Sequence, residues 1–149
     1  MEKMLRNVVL AGAFVLPFIF FIVPSDMFFP FITGKNFAFR VIVEMMFGAW
    51  AALAILSPAY RPKKSLILIA LSAFVAIVAL ADMFGDNFFR SFWSNYERME
   101  GLITLLHLLA LCIVLSAVLQ TRALFEKLFD TSIVASVLMS LYGLAQFFG

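Results

Sequence analysis

Cysteine, histidine and charge are all scarce in this chain. The lone cysteine, Cys112, excludes a disulfide framework or a cysteine-based metal site within one copy. Charged residues make up only 13% of the 149 positions, and the net charge of +2 is divided among short polar segments. That distribution offers no basic patch for nucleic acid. No GxGxxG, Walker loop or His-Glu-x-x-His string occurs, and the single histidine has no Asp or Cys at triad or metal-ligand spacing. Neither a metal, a cofactor nor a side-chain nucleophile can be argued from such a sequence.

What is present is hydrocarbon. Hydrophobic residues account for 64% of the chain, with a mean hydropathy of +1.06, whereas soluble domains average roughly 45–50% apolar and about 25% charged residues. A water-soluble core could not hide this much apolar surface, so the expected solvent is lipid. The predicted fold class is all-α: a polytopic membrane helix bundle of about five spans plus an interfacial amphipathic helix, forming one membrane domain over 1–149.

A charged lead containing Lys3 and Arg6 precedes a first span at 8–23, which lacks an Ala-x-Ala cleavage site and is therefore expected to stay uncleaved. Pro24, Pro30 and Gly34 mark the following loop. The remaining spans are predicted at 37–56, 66–80, 101–120 and 132–148. Twenty residues at a rise of about 1.5 Å each cover roughly 30 Å, the thickness of the hydrocarbon layer. Residues 121–130 mix Arg122, Glu126, Lys127 and Asp130 with Leu and Phe, and read as a short interfacial connector. The ending Leu-Ala-Gln-Phe-Phe-Gly has no polar tail, which predicts the front part of a larger membrane protein.

With the N-terminus inside, the inner segments hold seven of the eleven Lys and Arg residues and the outer segments four. This bias predicts that the segment 88–101 lies on the outer face, which for a bacterial inner membrane is the periplasmic side. Wound as a helix, that segment puts Phe88, Phe89, Phe92, Trp93, Tyr96 and Met99 in one arc. Arg90, Ser91, Ser94, Asn95, Glu97 and Arg98 fill the other side. Such a helix lies flat on a bilayer.

Arg90 and Arg98 are placed to bracket a phosphate or sugar acid, with Trp93 and Tyr96 as stacking faces; an aromatic interface anchor with solvated charges fits the same residues. Arg40 and Glu44 are i and i+4, so they suit either a self-neutralising structural pair or an anionic-headgroup site in which Arg40 meets phosphate. Glu100, Thr104 and His107 form one stripe descending about 10 Å into the fourth span. His107 there fits either a proton relay or a hydrogen bond to a neighbouring helix. Asp82 and Asp86 flank Gly85 as turn residues.

Two strings carry a family resemblance: Phe28-Phe-Pro-Phe-Ile-Thr-Gly-Lys-Asn-Phe-Ala-Phe-Arg40 and Arg90-Ser-Phe-Trp-Ser-Asn-Tyr-Glu-Arg-Met-Glu-Gly101. With their spacing around two spans, the chain resembles the N-terminal part of bacterial O-antigen ligase-related membrane proteins, which include O-antigen ligases and polymerases. The resemblance implies a membrane glycosyltransferase of about a dozen spans that moves a glycan from undecaprenyl pyrophosphate to an acceptor at the periplasmic face, inverting at the anomeric carbon and needing no metal. It further implies that the family's catalytic arginines and histidine belong to later spans and a large loop beyond Gly149. No catalytic residue is carried onto this chain, and His107 is not equated with the family's histidine. Two other readings of the residues remain: a non-enzymatic assembly or lipid-binding protein of the membrane, and a small transporter built around Glu44 and His107.

Overall fold

A computed structural model describes residues 1–24, 29–95 and 99–148. Among them every regular element is helical: α1 Glu2–Val15, α2 Thr33–Leu56, α3 Leu66–Met83, α4 Phe88–Trp93, α5 Leu102–Val118 and α6 Arg122–Phe148. Four helical stretches are long and apolar enough to cross a bilayer, namely Glu2–Phe21, Thr33–Leu56, Leu66–Met83 and Arg122–Phe148. The fourth of the five expected spans is the shorter α5, whose 17 residues would cover about 26 Å.

The first apolar helix begins earlier than hydropathy suggested. Helix starts at Glu2, so Lys3 and Arg6 ride on its opening turns. Pro17 does not end it but tightens it into a 3₁₀ segment over Leu16–Phe21. Proline lacks an N–H and its ring crowds the carbonyl four residues back, which is tolerated at the head of a new turn.

A larger correction concerns the last helix. The expected connector at 121–130 is instead the first part of one 27-residue helix. No glycine or proline occurs between 121 and 142. Thr121 Oγ1 accepts from the Leu124 N–H at 3.4 Å, and Arg122 pairs with Glu126 one turn on at 2.7 Å. At about 40 Å, α6 is longer than the roughly 30 Å hydrocarbon layer of a bilayer.

The core lies where α1, α2 and α5 meet. Val9 and Ala13 of α1, Met46 and Leu53 of α2, and Val114 and Val118 of α5 form one buried cluster. Gly12 lets α1 approach closely, because a Cβ there would run into the Met46 side chain. Small residues at such crossings substitute for the hydrophobic driving force that is lacking between helices in lipid. Helix α3 packs on α5, while α6 packs mainly on the 3₁₀ segment and α1 and, among the described residues, buries Ala135 alone.

Cross-links fix which helix ends lie together. Gln120 Nε2 donates to the Ala59 carbonyl at 2.7 Å, and Trp50 Nε1 donates to the Tyr60 carbonyl at 3.1 Å. The end of α5 is thereby joined to the turn that follows α2. At the opposite end, Arg40 in the early part of α2 meets the approach to α5. This second end carries the candidate site.

Candidate functional site

The amphipathic segment 88–101 is shaped differently from the single helix its periodicity suggested. Helix α4 covers Phe88–Trp93 only, with Asn87 Oδ1 accepting from the Arg90 N–H at 3.0 Å as its cap. Ser94 then takes φ 61° and Met99 φ 52°, a region that non-glycine residues enter at a cost of about 1–2 kcal/mol. Arg90 and Trp93 are exposed on α4, and the Phe92 ring meets the Trp93 ring edge-on at a centroid distance of 5.1 Å. Tyr96 and Arg98, the other two residues of the expected phosphate and sugar cluster, lie outside the described residues.

Arg40 explains how Met99 is held. Its guanidinium donates from Nη2 to the Met99 carbonyl and, at 3.2 Å, to Thr104 Oγ1; Nη1 lies 3.8 Å from the Met99 sulfur. Thr104 in turn donates to the same Met99 carbonyl at 3.0 Å. Arg40 is only 7% exposed. Its planar fork suits such a multiple contact, since several N–H groups diverge from one charge. Arg40 is thus a structural clamp between α2 and the approach to α5, and its donors point into protein. Of the two roles expected for Arg40, the structural one describes the contacts observed, with Met99 and Thr104 as its hydrogen-bond partners.

Glu44 also has a different partner from the one spacing suggested. Among the described residues it forms an ion-pair contact with His107, Oε1 to Nε2 at 3.1 Å, and none with Arg40. His107 is buried at 9% exposure and its Nδ1 lies 2.7 Å from the Ile103 carbonyl. Of the two roles open to His107, the hydrogen bond to a neighbouring helix is the one observed. The Glu100–Thr104–His107 stripe therefore splits: Glu100 precedes the helix and is exposed, Thr104 serves the Arg40 clamp, and His107 serves α2.

A groove of about 410 Å³ opens beside the clamp. Phe20, Phe31, Phe39 and Leu108 give it apolar lining, and Lys35, Asn36, Glu100 and Thr104 give it polar lining. Lys35 is half-buried and makes no ion pair among the described residues. Its ammonium is a compact cation beside aromatic surface, which suits an amphiphile with an anionic head. Lys35 and Asn36 lie in the first string but do not stand out there as site residues, because they look like an ordinary polar loop. Their one available signal was position: a cation at the mouth of a span, flanked by Phe31 and Phe39 four residues to either side. Among the described residues, no three His, Cys, Asp or Glu side chains converge as metal ligands would. A scan against protein-family models finds no matching family, and searches of curated proteins and of solved structures likewise find no match.

Proposed function

We propose that this chain is the N-terminal membrane portion of an O-antigen ligase-like glycosyltransferase, serving to hold the lipid-linked donor near the outer face rather than to react with it. The reading rests on the two strings that carry the family resemblance, and one observation supports it. Although they are far apart in sequence, Arg40 at the end of the first is clamped to Met99 within the second. Residues of both strings line the groove that holds Lys35. An apolar-walled groove with a single cation suits a polyprenyl chain bearing pyrophosphate.

In this reading the chain crosses a bacterial inner membrane five times, with its N-terminus inside. Lys35 meets the pyrophosphate through charge-assisted hydrogen bonds, while Phe20, Phe31 and Phe39 accept the first isoprenoid units. Arg90 and Trp93 stay exposed on α4, available to the glycan. Chemistry at the anomeric carbon is left to residues outside this chain.

Two experiments test the proposal. Lys35→Gln is expected to weaken binding of a short-chain polyprenyl pyrophosphate to the protein in nanodiscs about tenfold, the loss of roughly one charge-assisted bond. Binding of the corresponding polyprenol should not change. Equal pyrophosphate binding by both proteins would sink the donor-holding role. For orientation, a cysteine at Ser94 is expected to react with an impermeant maleimide added outside cells, and one at Ser65 to be protected. The reverse labelling pattern would invert the topology.

A second reading, a non-enzymatic membrane assembly protein, is favoured by α6. Ile133, Val134, Val137, Leu138, Leu141 and Leu144 are all exposed along it. That reading takes precedence if Lys35→Gln leaves pyrophosphate binding intact.

A further inference from the structure

The orientation of the His107 ring fixes a proton count. Nδ1 sits 2.7 Å from the Ile103 carbonyl oxygen. A carbonyl oxygen can only accept, so Nδ1 carries a hydrogen. The other nitrogen, Nε2, sits 3.1 Å from Glu44 Oε1. If the ring were neutral and the carboxyl ionised, two lone pairs would face each other at hydrogen-bond distance inside a helix interface. That arrangement is repulsive, and low polarity makes it worse. One further proton must lie between them, either on the carboxyl, donating to Nε2, or on the ring, donating to the carboxylate.

We propose that Glu44 and His107 form a one-proton binding site between α2 and α5, neutral when loaded and filled through Glu44. Both placements of the shared proton leave the pair without net charge, which is how two ionisable groups are tolerated at this depth. Glu44 is the accessible member: its side chain is 67% exposed, against 10% for His107. It borders a cleft of about 130 Å³ that also includes Val43, Phe47, Leu106 and Ala110.

Loading and unloading balance simply. On unloading, the O–H or Nε2–H bond breaks and the proton leaves by way of Glu44 to water or a base in the cleft. What stays is a carboxylate facing a neutral ring, with net charge −1 and no hydrogen bond between them. The site is a store and not a wire, because the far side of the ring is closed. Its Nδ1–H is committed to the Ile103 carbonyl, which cannot accept a proton and pass it on. Unloading therefore also removes a link between α2 and α5.

The charged surroundings are sparse. Arg40, one turn earlier on α2, is hydrogen-bonded to Met99 and Thr104, and its positive charge also acts on Glu44 through space. Helix α1 packs against α2 through Gly12, at Ile42 and Met46, and its ionisable residues Glu2, Lys3 and Arg6 lie in its first turns. On α3 the one ionisable side chain is Asp82, at its end, and on α4 it is Arg90. On α5, Cys112 is five residues from His107 and falls on another face. Glu100 stands before the start of α5.

His107 is the sole histidine of the chain, so its ring can be observed without assignment. The full chain, labelled with [15N]histidine and placed in nanodiscs, is expected to show a protonated Nδ1. It should also show one of two further signatures: a protonated Nε2, or an infrared carboxylic-acid band that disappears in Glu44→Gln. A bare Nδ1 in the wild-type protein would overturn the proposal without recourse to any variant. So would an ionised Glu44 beside an unprotonated Nε2. Should the Nε2 proton signal persist unchanged in Glu44→Gln, the proton is not shared with Glu44 and the site is likewise refuted.

Discussion

Replacing Arg40 with leucine is expected to lower the stability of the folded bundle by about 3 kcal/mol, a shift of roughly a hundredfold in the folded-to-unfolded ratio. The guanidinium spans α2 to both the Met99 carbonyl and Thr104, and hydrogen bonds to a charged group contribute about 1.5–3 kcal/mol each. Leucine fills part of the volume and satisfies neither acceptor. Lysine keeps the charge but places it at one point, so Arg40→Lys is expected to recover about half of the loss. Thr104→Val removes only one member and should cost about 1 kcal/mol. Reversible unfolding in mixed micelles measures the series, and limited proteolysis between α4 and α5 reports where the damage begins. If Arg40→Leu and Thr104→Val prove equal, Arg40 is not the clamp.

The same residue shows what the sequence could and could not carry. At i and i+4, Arg40 and Glu44 look like each other's partner, because local spacing is the only pairing visible in a single chain. Their hydrogen-bond partners lie 59 and 63 positions away, and no periodicity encodes a contact at that separation. Hydropathy did locate the apolar helices, since lipid-facing surface is written directly into composition. Helix ends were harder. Residues 121–131 hold several charges but no breaker, and the backbone follows the absence of Gly and Pro rather than the presence of charge. The converse error occurred at 88–101, where no Gly or Pro stands between Trp93 and Gly101, yet α4 stops at Trp93.

The groove was illegible for a related reason. Its lining comes from three places: the 3₁₀ segment after Pro17, the first turns of α2, and the entry to α5. Of this lining only Glu100 and Thr104 stand out in sequence as candidate site residues, and for a stripe within one helix; Phe31, Ile32, Lys35, Asn36 and Phe39 enter only as part of the first string. Lys35 acquires its meaning from Phe20 and Phe31, which reach it from outside its own helix or from just before it. A binding groove between helices is a property of packing, whereas composition reports each helix separately.

Gly101→Ala is the second change expected to have a large effect, about 2–3 kcal/mol. Gly101 has φ −76° and ψ −160°, an extended backbone open to any residue, so its need for glycine is spatial and not conformational. A Cβ at this position would overlap the backbone carbonyl oxygens of Ser91 and Phe92. A crowded side chain can swing aside, but these oxygens belong to α4, so the whole helix would have to shift from its seat on the α5 entry. Gly48 and Gly143 serve as internal comparisons, because nothing lies within 4 Å of a Cβ at either position. Alanine there should be neutral or slightly favourable, as expected for a helix interior. The contrast separates loss of the α4 seat from any general effect of glycine replacement. Trp93 fluorescence should move in Gly101→Ala and stay fixed in the other two, since only the first displaces the helix that carries Trp93. A Gly101→Ala protein as stable as Gly48→Ala would mean that α4 is free to slide on the α5 entry.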